Sequence, residues 1–222
     1  MIGVVTGLVA EARCLRQGQN RFVCTGGDSE RARAGAARLV KQDVCALCSF
    51  GLAGGLQPGL TSGSLLLPEA VIMPDGNRIE TDTVWRERLD YLAMTEGLDP
   101  KDLPIAGSDE LVATPLAKTT LFETTGAAAV DMESHAVGQV AMDAKLPFVI
   151  VRVIADPHDE AIPNAARQGL GEDGQIKPLA VLMELMRRPA ETGSLIRLGR
   201  ESGRALSALR RVASLAPDLA YV

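Results

Sequence analysis

The stretch Gly126–Asp156 reads GAAAVDMESHAVGQVAMDAKLPFVIVRVIAD, and its pattern is strand, helix, strand. The apolar run Ala127–Val130 stops at Asp131-Met132-Glu133. Ser134–Lys145 then places Val137, Val140, Ala141 and Ala144 on one stripe at helical spacing. Pro147 ends that helix, and the apolar run Phe148–Ile154 suits a buried parallel strand that finishes at Asp156-Pro157. Glu133 and Asp156 therefore fall at the C-terminal ends of two strands in one βαβ unit, the edge where open α/β sheets take ligands. Each residue also has a plainer reading: Glu133 as a first-turn glutamate favoured by the helix dipole, Asp156 as a turn residue. Both carboxylates following long apolar runs in one unit is what makes a site the better reading.

Composition bounds the rest. A chain of 222 residues that is 46% hydrophobic can build one α/β domain with a sizeable core, and with aromatics at 3% that core must be aliphatic. A net charge of −5 argues against a general nucleic-acid binder. No apolar run approaches the roughly 20 residues of a membrane span, and no basic region precedes the first apolar segment, so a cytoplasmic protein without a cleaved leader is expected. Cys45 and Cys48 have C-x-x-C spacing, but inside the strand-like VCALCSF they face opposite sides and would not share a metal. No metal site is expected. Cys14, Cys24, Cys45 and Cys48 are read as buried free thiols.

AVDMES followed by PFVIVRVIAD resembles the paired signature of the nucleoside phosphorylase and nucleosidase superfamily, which includes purine and uridine phosphorylases and methylthioadenosine/S-adenosylhomocysteine nucleosidase. MIGVVTGLVAEA at the start and GLAGGLQPGLTSGSLLLP in the first half extend the resemblance, in the family's order, over most of the chain. VDMESHAV, VIADP and the basic tail are closest to the hopanoid-associated phosphorylase branch. The resemblance implies a three-layer α/β/α fold with a central mixed sheet, as a single domain over residues 1–222 with a helical extension from about residue 177. It also implies an assembly of at least two copies. Only RQGQNRFV joins the first helix to the next turn, so the family's small barrel should be trimmed.

The first strand, Ile2–Leu8, opens at Gly7 into VAEARCLR, a turn whose free N–H groups suit an anion. Glu11 matches the nucleosidase glutamate that activates water, whereas Arg13 reads as a candidate phosphate ligand through its bidentate fork. Gly26 and Gly27, before a helix over about 30–41, are weak phosphate candidates. Gly54 belongs to a glycine-rich strand end that lets a ligand approach the backbone. Leu52 stands where the family usually has a hydroxyl. Gly63–Met73 reads as one strand, Thr83–Gly97 as a helix and Pro104–Gly107 as a strand. Leu111 and Val112 fall in the segment that in the family contacts the base. His135 reads as a packing or ribose-facing residue. The loop after Asp156 reads as a lid or as a disordered segment.

Two helices are expected to close the chain, at Lys177–Arg188 and about Ser194–Ser214. From Arg187 to Arg211 seven arginines face two glutamates, a tail of +5 on a body of −10. Such a helix either packs its apolar stripe on the domain or lies on an anionic membrane as a peripheral contact. Packing is the favoured reading.

The chemistry implied is cleavage of the N-glycosidic bond of a purine nucleoside. Asp156, its pKa raised by burial, would serve N7 of the leaving adenine. Glu133 would bind the ribose hydroxyls, Met132 the ribose face, and Arg152 would hold Asp156 or a substrate oxygen. No cofactor is implied beyond phosphate as a co-substrate. Leu52, the trimmed barrel and the basic tail suit a nucleoside with a large apolar 5′ group, such as lipid-linked adenosylhopane in hopanoid biosynthesis. Phosphorolysis is the reading taken; hydrolysis of the methylthioadenosine/S-adenosylhomocysteine type and non-catalytic nucleoside binding are the alternatives.

Overall fold

Alternation along one strand sets the layers. In β9 (Phe148–Asp156), Val149, Val151, Val153 and Ala155 pack with one core cluster, while Phe148, Ile150 and Ile154 join the other. Position 152 belongs with the second set and carries an arginine. A computed structural model of the chain describes residues 1–15, 20–169, 174–175, 183–184, 187–215 and 219.

The sheet is mixed and nine-stranded: β1 (Ile2–Thr6), β2 (Arg21–Cys24), β3 (Ala46–Gly55), β4 (Leu65–Leu66), β5 (Ala70–Ile72), β6 (Arg78–Glu80), β7 (Ile105–Gly107), β8 (Ala129–Asp131) and β9. Its main path runs β2-β1-β3-β8-β7-β5-β6, with β9 beside β3 and β4 beside β9. One face is covered by α2 (Ser29–Val40) and α5 (Ser134–Ala144), through Ala32, Ala36, Leu39, Ala136, Val137 and Ala141. The other is covered by α3 (Thr83–Thr95) and α7 (Thr192–Leu215), through Trp85, Leu89, Ala205, Leu209 and Val212. The short α1 (Val9–Ala12), α4 (Pro115–Thr125) and α6 (Asn164–Gly169) are further helices, and a 3-10 turn at Pro189–Glu191 leads into α7. The three-layer architecture expected from the sequence is present, and one short strand, β2, lies between α1 and α2.

Three expectations are corrected. Gly63–Met73 is two short strands: Pro68, which has no N–H for a ladder, stands between β4, paired with β9, and β5, paired with β6 and β7. The strands carrying Glu133 and Asp156 are not hydrogen-bonded neighbours. β3 lies between them, parallel to β9 from Leu47 to Gly54 and antiparallel to β8 at Gly54 and Gly55. Cys14 and Cys48 are buried thiols, but Cys24 and Cys45 are exposed. The helix expected at Lys177–Arg188 lies largely outside the described residues.

α7 settles against the sheet. Its apolar stripe, Ala205, Leu209, Val212 and Ala213, is buried, and Arg197, Arg200, Arg204, Arg210 and Arg211 are exposed. The apolar residues of its second half are thus packed on the core, while Ile196 in its first half is exposed, and among the described residues no helix is long and apolar enough to cross a membrane. Leu209 is fully buried, so Leu209→Ala should cost about 2–4 kcal/mol of stability in urea denaturation. An unchanged midpoint would mean that α7 is not docked on the core.

Candidate active site

Arg152 is the centre of the first charged cluster. It is fully buried, and β9 aims it toward the layer that α5 covers. Nε donates to Asp131 Oδ2 at 2.5 Å; Nη2 donates to Ser49 Oγ at 2.7 Å, to Ser134 Oγ at 3.2 Å and to Glu133 Oε2 at 3.2 Å. Asp131 also accepts from the Ser134 amide and hydroxyl, capping the start of α5. Arg152 Nη1 is buried with no hydrogen-bond partner among the described residues.

Glu11 faces that nitrogen. A Cβ built on Gly51 would lie 2.6 Å from Arg152 Nη1 and 2.7 Å from the Glu11 carboxyl carbon, so both groups press on one side of this glycine. Glu11 is held by three backbone amides: Gly7 at 2.9 Å and Leu8 at 2.8 Å on Oε2, and Leu52 at 2.8 Å on Oε1. The anion received by the strand-to-helix turn is therefore the chain's own Glu11. Gly7 is required on the other side as well, because a Cβ there would come within 2.5 Å of Glu133 Oε1.

Burial lifts the Glu11 carboxyl above its usual range, against the pull of Arg152 and of the three amides. Burial likewise pushes Glu133 up to about 8, with Arg152 opposing and Asp131 and Glu11 adding to the rise. Three carboxylates thus share one guanidinium, and two of them retain protons more readily than usual.

The second cluster surrounds Asp156. Lys118 Nζ, fully buried on α4, donates to Asp156 Oδ2 at 2.5 Å, to the Pro157 carbonyl at 2.6 Å and to the Glu160 carbonyl at 2.9 Å. A Cβ on Gly54 would sit 3.4 Å from Asp156 Oδ2. Burial raises the Asp156 carboxyl, while Lys118 pulls it down. The clusters meet β3 at Gly51 and Gly54 respectively.

Other expected residues fall as follows. Arg152 holds Asp131 and Glu133, and the cation on Asp156 is Lys118; the register shift between β3 and β9 at Ala53/Gly54 falls between Arg152 and Asp156. Arg13 is the exposed C-cap of α1, away from the buried Glu11. Gly26 and Gly27 adopt φ of 71° and 69°, but the Gly26 amide donates to the Gly7 carbonyl at 2.7 Å, which leaves it engaged within the protein. Met132 is half-buried, directly before Glu133. Leu52 contributes its amide to Glu11. Leu111 is 43% exposed, and Val112 packs in a small core cluster. Their segment is tied down at Asp109, which accepts from Ser29 Oγ at 2.6 Å and pairs with His135 Nε2 at 3.1 Å.

Sequence reasoning passed over Asp131, Ser49, Ser134 and Lys118. Ser49 is detectable as a lone hydroxyl in an apolar strand. Lys118 gives no signal, since it reads as an ordinary lysine on a short polar helix.

The sequence profile of the phosphorylase superfamily matches residues 5–177. No curated protein matches the chain. Among solved structures, a putative 5′-methylthioadenosine/S-adenosylhomocysteine nucleosidase from Francisella philomiragia is 18% identical, with a TM-score of 0.70 over 98% of this chain and 97% of that one. The corresponding nucleosidase of Campylobacter jejuni gives 15% and 0.71 over 98% and 97%. The futalosine hydrolase of Helicobacter pylori gives 16% and 0.67 over 94% and 96%. These likenesses establish the fold.

Glu133 makes stability depend on pH. Its carboxyl titrates near the ordinary 4.5 when unfolded and at about 8 when folded, so the folded state holds the extra proton between those values. The stabilisation is complete below the unfolded value and is lost as pH rises through the folded one. Tm should therefore fall by several degrees between pH 5 and pH 8.5, at about 2–4 °C per kcal/mol for a chain of this size. Glu133→Gln should roughly halve that slope in thermal denaturation; parallel slopes would refute it.

Proposed function

Because the chain belongs to the phosphorylase superfamily, we propose that it cleaves the N-glycosidic bond of a purine nucleoside, with adenine as the leaving base and water as the acceptor. The observation that carries this reading is that Glu11 and the buried Arg152 Nη1, which has no hydrogen-bond partner among the described residues, both lie against Gly51. A donor and a carboxylate side by side suit a water molecule, whose oxygen accepts from the guanidinium while its proton is taken by Glu11. Once deprotonated, that water is the nucleophile for C1′.

The prior engagement of the guanidinium supports water over phosphate. A phosphate dianion would enter beside Glu11, Asp131 and Glu133, and the guanidinium there is already engaged by two of them. Arg13 is exposed and Gly26 is bonded to Gly7, so neither supplies the phosphate seat that the sequence suggested.

Glu133 hydrogen-bonds the ribose hydroxyls, and its ionised form supports the positive charge that grows on the sugar as the bond to the base lengthens. Met132 lies beside it. Asp156 meets N7, so that the base departs neutral rather than as a poor anion. Leu52 at the site and Leu111 on the segment after β7 are apolar surface suited to a large 5′ substituent, which keeps a 5′-alkyl adenosine such as adenosylhopane within the proposal.

The test measures adenine release from adenosine, S-adenosylhomocysteine and a 5′-alkyl adenosine, with and without phosphate. Release that needs no phosphate is expected. Strict dependence on phosphate would replace water as the acceptor, and no release from any nucleoside would leave binding alone. Asp156→Asn should lower kcat by about 10²–10⁴-fold while the protein still melts cooperatively; an unchanged kcat would remove Asp156 from the chemistry.

A further inference from the structure

Lys118 is a fully buried lysine with three acceptors around its nitrogen: Asp156 Oδ2, the Pro157 carbonyl and the Glu160 carbonyl. An ammonium satisfies all three with its three protons. The neutral pair satisfies them equally well, because two amine N–H groups still reach the carbonyls and the lone pair accepts the Asp156 O–H. A proton can therefore sit on either side of the 2.5 Å contact without orphaning any group. Burial narrows the difference, since it disfavours two separate charges.

We propose that Lys118 and Asp156 act on the leaving base as one acid with a single transferable proton, Lys118 being the positioning residue that retains this proton at a pH where a lone buried carboxyl has lost it. The inference rests on the N-glycosidic reading above. In the step, an N–H bond of Lys118 breaks and an O–H bond forms on Asp156. The carboxyl turns and passes that proton to N7 as C1′–N9 breaks and its electron pair goes to the base. Water adds to C1′ and yields a proton to Glu11, and an equivalent proton returns through solvent to Lys118. The sum is hydrolysis.

Two further carboxylates stand near the pair, Glu160 and Glu201. Glu160 contributes its carbonyl to Lys118, while its carboxylate is paired with Arg197 at 3.0 Å. From α7, Glu201 is electrostatically coupled to Asp156, with Arg197 and Arg204 beside it. Gly54 and Gly55 of β3 lie against Asp156, with Val130 of β8 beside Gly54.

The experiment records kcat for adenine release from pH 5 to 10 in the wild type, Lys118→Met and Asp156→Asn. The alkaline limb of Lys118→Met should fall at least about one pH unit below that of the wild type. At pH 8 the variant should be about 100-fold slower, regaining much of the loss at pH 6. Superimposable limbs, or a limb that moves upward, would overturn the inference. If Lys118→Met does not fold, the wild-type profile decides: an alkaline limb above pH 7.5 supports the shared proton and one below it refutes it. An inactive Asp156→Asn beside a wild-type profile for Lys118→Met sinks this inference alone. An active Asp156→Asn, or a wild type that releases no adenine, sinks the functional reading with it.

Discussion

The buried guanidinium of Arg152 is the constraint around which the sheet edge is arranged. Removing such a charge from water costs several kcal/mol unless it is paired and hydrogen-bonded. Its partners come from three places: Ser49 on β3, Asp131 at the end of β8, and Glu133 and Ser134 at the start of α5. Those elements converge because the arginine must be satisfied, and the convergence brings Glu133 to the Gly7 turn. One nitrogen is left over. In a cluster this closely matched, an orphaned donor beside a carboxylate held by three amides is the feature that points to chemistry.

The two cations divide the site between them. Arg152 serves Asp131, Glu133 and Glu11; Lys118 serves Asp156. Had one cation bridged Glu133 and Asp156, sugar and base recognition would have been tied to a single charge. Separate cations let Glu133 and Asp156 be tuned independently, as the proposed reaction needs when it builds positive charge on the sugar and leaves a proton on the base.

Much of this was legible in the residues, and the misses have physical causes. The βαβ pattern around Glu133 and Asp156 appeared because apolar runs of strand and helix period are long there, and α5 begins at Ser134 and β9 ends at Asp156 as the pattern required. The insertion of β3 between β8 and β9 was hidden, since strand order is decided by packing that no local window contains. Gly7 and Gly51 stand out only as glycines; that each makes room for a carboxylate is a property of the folded site. Lys118 was invisible for the same reason. Nothing in PLAKTTLFETT separates an exposed helical lysine from one folded inward onto a strand end.

The proposal of water rather than phosphate comes down to how the turn after β1 is used. Such turns receive anions because their N–H groups point outward together, and a phosphate could have been the anion. Here Gly7 and Leu8 give their amides to Glu11, and Leu52 adds a third. The position is filled by a carboxylate that the chain supplies itself, and burial raises its proton affinity. A base built into the place an inorganic anion would need suits an enzyme that activates a neutral nucleophile. The same arrangement explains why Leu52 can stand without a hydroxyl: its contribution is made through its backbone.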